Sequence, residues 1–116
     1  MNKNEAHKAL LLFRQLKQND IEPNNLTFPF IAKACAKLSD LIYFQMIHGH
    51  IVKSPFWSDI LVQTTMVDMY VKGNRLDCGF NIFDEMPYRD VASWNAMLVG
   101  FAQMGFLKKY CVFFII

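Results

Sequence analysis

Apolar residues recur along this chain at helical spacing, and the helices they predict recur in turn. In the stretch from Asp59 to Asn95, Gln63, Met66, Val67 and Tyr70 fall at i, i+3, i+4 and i+7, which is one face of a helix. Leu76, Gly79, Phe83 and Met86 follow at i, i+3, i+7 and i+10, a second stripe of the same kind. Asp59 is placed to cap the first helix, because its carboxylate can accept from backbone N–H groups that have no partner inside the helix. Gly73-Asn74 marks its end, since both residue types tolerate a left-handed backbone. Pro87 stops the second helix and Asp90 is placed to cap the next. The stretch reads as one helical hairpin.

The same grammar surrounds it. Upstream, Asn4 is the expected cap of a helix carrying Ala6, Ala9, Phe13 and Leu16, which ends at Asn19-Asp20 and Glu22-Pro23-Asn24-Asn25. Phe28, Ile31, Ala32 and Cys35 define another helix, with Pro29 tolerable in its first turn. Ser39-Asp40 opens its partner, striped by Leu41, Phe44, His48 and Ile51, and residues 54–58 form a connecting loop. Trp94, Met97, Leu98 and Phe101 give a further helix with Gly105 as its expected terminator, and a last helix would run to Ile116. The steps from Ala6 to Leu41, Leu76 and Leu107 are 35, 35 and 31 residues, and those from Phe13 to His48, Phe83 and Phe114 are the same. Two columns in one register imply stacked helix pairs, because so short a hairpin cannot bury its stripe alone. The expected fold is all-α, an α-solenoid. Its first helix has no upstream partner, which predicts that the chain starts inside a repeat, as a fragment or a truncated gene product would.

Composition adds exclusions. Twelve basic against ten acidic residues give a net charge of +2, so bulk charge argues for no nucleic-acid partner and any such role needs particular positions. Three widely spaced cysteines, Cys35, Cys78 and Cys111, fit buried thiols in a reducing compartment better than a disulfide framework. No apolar run reaches a bilayer-spanning length, so no membrane partner is expected. The N-terminal residues carry neither a secretory core nor an Arg/Ser-rich transit pattern. His48-Gly49-His50 does not make a metal site, because positions i and i+2 of a helix point about 200° apart. No nucleophile and base pattern and no glycine-rich phosphate loop is present. The chain therefore reads as a non-enzyme that needs no cofactor or metal.

One face remains polar. Thr64, Asp68 and Lys72 lie at i, i+4 and i+8, away from the Met66, Val67, Tyr70 stripe. Pro29, Lys33, Lys37 and Asn95, Val99, Gln103 occupy the equivalent face of the flanking units. For the lysines, contact with phosphates competes with simple solvation.

The runs Leu-Thr-Phe-Pro-Phe-Ile-Ala-Lys-Ala-Cys-Ala-Lys-Leu, Ile-His-Gly-His-Ile-Val-Lys-Ser, Met-Val-Asp-Met-Tyr-Val-Lys, Ile-Phe-Asp-Glu-Met-Pro-Tyr-Arg-Asp and Ser-Trp-Asn-Ala-Met-Leu resemble pentatricopeptide repeats of the land-plant PLS subclass. On that resemblance the order is a partial P-type repeat (1–24), an L-type repeat (25–59), an S-type repeat (60–90) and a truncated P-type repeat (91–116). Gly73-Asn74 reverses the usual order there, Pro55 stands where the family usually has Gly, and Gly79 replaces a usual Ala. The resemblance implies a right-handed superhelix that binds single-stranded organellar RNA, in a mitochondrion or chloroplast, alongside editing or processing proteins. Each repeat would read about one base through a few side chains. Transferred position by position, the base-reading pairs are Pro29 with Asp59 and Thr64 with Asp90, and Asn24 and Asn95 are each half of a pair. Leu26, Leu61 and Ala92 would flank the bases, and Lys33, Lys37 and Lys72 would contact phosphates. The zinc-ligating His-x-Glu and Cys-x-x-Cys of the deaminase domain found in some members are absent from this sequence. The competing class is a tetratricopeptide-like scaffold for protein segments, also built of helix pairs.

Overall fold

The computed structural model describes residues 1–104. The expectations that fall on Gly105, Leu107, Cys111, Phe114 and the last helix lie outside the described residues. Six helices and no strand make up the described part: α1 (Lys3–Gln18), α2 (Thr27–Leu38), α3 (Leu41–Lys53), α4 (Ile60–Lys72), α5 (Leu76–Glu85) and α6 (Val91–Met104). They pack in pairs as an all-α repeat array.

Local chemistry sets the boundaries. Asn2 caps α1, accepting from the Glu5 N–H at 2.8 Å while its amide donates to the Glu5 carboxylate at 3.0 Å. This corrects the expectation of Asn4, which lies inside the helix. Asn2 has a glutamate three residues on, as a reciprocal cap requires, whereas Asn4 has His7 there. α1 ends with Asp20 in the left-handed region (φ 57°). The N–H of Ile21 reaches the Leu16 carbonyl and that of Asp20 reaches the Lys17 carbonyl, so two otherwise orphaned acceptors are paired. α4 ends in the same way on Asn74 (φ 62°), with Arg75 N–H on the Tyr70 carbonyl at 2.7 Å and Asn74 N–H on the Val71 carbonyl at 3.2 Å. Gly73 itself has φ −88°. It is required for space, since a Cβ there would overlap the ring of Phe44, which is fully buried. The reversed Gly73-Asn74 order thus divides two tasks, close approach by the glycine and chain reversal by the asparagine.

The core runs the length of the array. Phe13, Phe28, Phe44, Ile47, Ile51, Val62, Met66, Val67, Tyr70, Leu76, Phe83, Met86, Met97 and Phe101 belong to one cluster. α2 packs on α1, α3 and α4, and α4 packs on α2, α3, α5 and α6. The odd-numbered helices differ: no backbone contact joins α1 to α3 or α3 to α5. One row, α2, α4 and α6, is continuous and is called inner here; the other is open and is called outer. Gly79 sits where α5 meets α4; a Cβ there would lie 3.2 Å from Val71 and 3.3 Å from the Val67 carbonyl, so the family's usual alanine would be tight.

Three stripe assignments need correction. Leu41 is 37% exposed, and Ile47, which was outside the α3 stripe, is fully buried, so the buried face of α3 is centred on Phe44, Ile47 and Ile51. In α6, Met97 and Phe101 are buried but Trp94 and Leu98 are 40% and 60% exposed, because Leu98 lies on the side turned away from α4 and α5.

Candidate functional site

The inner row brings most of the expected site residues into one place. Pro29 and Lys33 of α2, Leu61, Thr64 and Lys72 of α4, and Ala92 and Asn95 of α6 line a single groove of about 610 Å³. Their common face follows from helical spacing: Pro29 and Lys33 are one turn apart, as are Thr64, Asp68 and Lys72. Lys37 sits farther along α2 and, with Lys33 and Lys72, lines an adjoining cavity of about 400 Å³ between α2 and α4.

Asn24, Leu26, Asp59 and Asp90 do not line the groove. They stand at the N-termini of the three inner helices. Asn24 Oδ1 accepts from the Leu26 and Thr27 N–H groups at 2.9 and 3.0 Å, while Thr27 Oγ1 accepts from the Asn24 N–H. Asp59 Oδ1 accepts from Leu61 and Val62 at 2.9 and 3.2 Å, and Asp90 Oδ1 accepts from Ser93 at 2.9 Å. In both aspartates capping occupies a single oxygen. The second oxygen of Asp59 faces the side-chain amide of Asn25 at 3.4 Å, a long contact. Capping therefore leaves each aspartate an acceptor to spare. Leu26 is 59% exposed and Leu61 45% exposed, which leaves both free of the core.

Thr64 is the unusual member. Its hydroxyl is buried without a hydrogen-bond partner, whereas the neighbouring Thr65 hydroxyl donates to the Leu61 carbonyl at 2.7 Å. A buried hydroxyl left unpaired costs about 1–3 kcal/mol. A threonine in a helix divides between two χ1 wells, and rotation to the other well would carry this hydroxyl to a different staggered position. The charged residues differ in the same way. Lys72 pairs with Asp68 at 2.9 Å, with the two side chains 58% and 33% exposed. So exposed a pair is worth about 0.3–0.5 kcal/mol, little enough for an incoming anion to displace. Among the described residues neither Lys33 nor Lys37 has an ion-pair partner.

Asp68, Thr65, Ala96 and Val99 also line the groove and were not among the expected site residues. Asp68 was legible as the i, i+4 partner of Lys72. Asn25 was not legible, because it reaches Asp59 only through loop geometry.

The outer row has its own polar cluster. His48 Nδ1 lies 2.6 Å from the Tyr70 hydroxyl, and its ring stacks on Trp57 at 5.8 Å. Burial lowers the pKa of His48, and burial, helped by Cys78, pushes Tyr70 up to about 12. Both groups are therefore held in their uncharged forms, and the tautomer of the imidazole sets which of them donates. Burial also pushes Cys35 up to about 12, which leaves it a packed thiol and not a nucleophile. Among the described residues no group of three or more His, Cys, Asp or Glu could hold a metal, and no helix is long and apolar enough to cross a membrane.

The family model for the PPR repeat matches residues 64–91 and 92–109. A pentatricopeptide repeat-containing protein of Arabidopsis thaliana, named as mitochondrial, is 52% identical over 109 residues, which is 94% of this chain and 17% of that protein. The chain belongs to the pentatricopeptide repeat family. A second Arabidopsis thaliana member is 41% identical over 97 residues, and a third, named as chloroplastic, is 37% identical over 97 residues. Each of these alignments takes in 84% of this chain, but only 15% and 12% of those relatives. The chain thus spans less than a fifth of the length of the relatives it matches. The inner groove is where this pentatricopeptide chain gathers most of the side chains expected to form its site.

Proposed function

We propose that the groove of α2, α4 and α6 binds single-stranded RNA, with Pro29, Thr64 and Asn95 meeting successive bases. The observation that carries this reading is that these three residues share one groove at successive repeats, with Leu61 and Ala92 beside them and Lys33 and Lys72 at hand for phosphates. Lys37 extends the basic strip in the adjoining cavity. In this reading Asp59 and Asp90 each use one oxygen to cap and the other to orient a base edge, in pairs with Pro29 and Thr64. Asn24 caps with its single side-chain oxygen and offers its amide nitrogen to a base, for a repeat of which α1 is the second helix. Leu26, Leu61 and Ala92 flank the bases and offer them apolar contact in place of water. The repeats are then of the PLS subclass, P-type in 1–24 and 91–116, L-type in 25–59 and S-type in 60–90. The protein acts in a mitochondrion or chloroplast, in support of RNA processing or editing and with proteins of that machinery. A protein-binding scaffold is the outcome to be excluded.

Thr64 with Asp90 is the pair to test, because it resembles the family's guanine-reading combination. Residues 60–90 are grafted into a longer array of this family, and RNAs that differ only at the facing base are compared. Guanine is preferred, and Asp90→Asn shifts the preference toward adenine while the fold is unchanged, since Asn and Asp cap about equally well. A preference that stays put leaves Asp90 as a cap alone. An array that binds peptide segments but no RNA supports the scaffold instead. For the chain by itself, RNA affinity is weak, because about two base contacts fall short of the cost of association.

A further inference from the structure

The loop between α5 and α6 is held by one residue, Arg89, that does not line the groove. Arg89 reaches back to the end of α5, where its Nε donates to the Phe83 carbonyl at 2.8 Å and a terminal guanidinium nitrogen donates to the Asp84 carbonyl at 2.7 Å. Its guanidinium carbon also lies 4.7 Å from the centre of the Phe83 ring. Phe83 in turn meets Trp94 of α6 edge-on at 4.8 Å. These contacts tie the last turn of α5 to the first turn of α6. Asp90, next in the chain, caps α6 through the Ser93 N–H and carries the second oxygen assigned above to a base edge.

We propose that Arg89 is a positioning residue, whose two-pronged grip on the end of α5 fixes where the Asp90 carboxylate stands relative to the base opposite Thr64. The proposal rests on the base-reading function above. The physical reason is that the four last carbonyls of a helix lack partners within it, and a planar guanidinium can take two of them at once. With two prongs and a ring face engaged, the loop at residues 86–90 has little freedom to swing, and Asp90 inherits that rigidity. The other two inner helices have no such arm: the loop before α4 is held by Ser54, which accepts from the Phe56 N–H and donates to the Ile51 carbonyl. Arg89 therefore stiffens the one junction that carries the Thr64 and Asp90 pair.

The test has two readouts. In the whole 116-residue chain, amide exchange at Ser93 reports the Asp90 cap without RNA. The ratio of affinities of the longer array carrying residues 60–90 for two single-stranded RNAs, differing by guanine or adenine at the facing base and measured at low salt, reports base orientation. In Arg89→Ala, Ser93 exchange speeds up and the affinity ratio falls, each about tenfold, within the range for residues coupled through shared contacts. Arg89→Lys keeps the charge but has only a point donor, and both readouts fall nearly as far. The proposal is overturned if Ser93 exchange is unchanged in Arg89→Ala. It is also overturned if Arg89→Lys restores both readouts, or if the alanine variant loses affinity for both RNAs equally with the ratio intact, which marks Arg89 as a phosphate contact. If the longer array carrying residues 60–90 shows no base preference at all, the base-reading function fails, and Ser93 exchange in the 116-residue chain still decides whether Arg89 sets the cap.

Discussion

The inner and outer rows of helices are built from the same repeating sequence and have different jobs. α2, α4 and α6 touch one another in succession, and small residues sit where they close up. A Cβ at Gly100 of α6 would lie 2.6 Å from the Val71 side chain of α4, and Ala32 and Ala36 are buried on α2. α1, α3 and α5 stay apart. Between α1 and α3 lies a cavity of about 530 Å³ lined by Leu10, Phe13, Tyr43, Met46 and His50, and between α3 and α5 a smaller one of about 270 Å³ lined by His48, Trp57 and Tyr70. The outer helices are linked by ring contacts across the gaps, His7 with Tyr43 at 6.3 Å and Phe13 with His50 at 5.3 Å. The inner row obtains a continuous surface by close packing, and the outer row leaves gaps between its helices. A binding groove can be continuous only on the side where the helices meet.

The same substitution in the two rows sharpens this difference most. Met66→Ala on α4, at a fully buried position, is expected to cost about 2–5 kcal/mol in denaturant unfolding. Met46→Ala, half-buried beside the outer cavity, should cost under about 1 kcal/mol, since solvent-lined space is already there. Equal costs would break the distinction between rows. Next in size is Gly73→Ala, which drives a methyl into the buried Phe44 ring and should cost about 1–3 kcal/mol by overpacking, read as a lower midpoint with an unchanged slope.

Acid should loosen the outer row selectively. The pKa of His48 is lowered by burial, and that of His50 by burial and by the charges of Lys17 and Lys53. A group whose folded pKa lies below its unfolded value supports the fold above the unfolded pKa and withdraws that support as pH falls through the folded one. Stability is therefore level near neutrality and declines as pH drops below about 6.5, the ordinary histidine value. His48→Gln should flatten part of the decline in a series of thermal melts.

The smallest effect on stability is expected at Thr64. Thr64→Val replaces the unpaired buried hydroxyl with a methyl of similar shape. It should be neutral or stabilising by up to about 1 kcal/mol, while the guanine preference of the grafted repeat disappears. A clear loss of stability would show that the hydroxyl has a partner in solution, and would blunt the contrast with Thr65.

Helical period and the aspartate caps were legible in the chain alone, because each depends on residues within a turn or two. Asp59, Asp90 and Asp40 stand where their sequence context predicts, each taking the N–H groups that a helix start leaves open. The polar face of Pro29, Thr64 and Asn95 was legible for the same reason, since period alone separates it from the Met66 and Val67 stripe. What the sequence could not supply is how the hairpins lean on each other. Whether Leu98 or Ile47 is covered depends on which neighbouring helix approaches, and whether Gly73 serves a turn or a contact depends on Phe44, 29 residues earlier. The same holds for Asn25 beside Asp59 and for Arg89 over Phe83. Spacing within a helix determines which residues share a face, but packing between helices decides which face closes, which opens into a groove, and which loop side chains brace it.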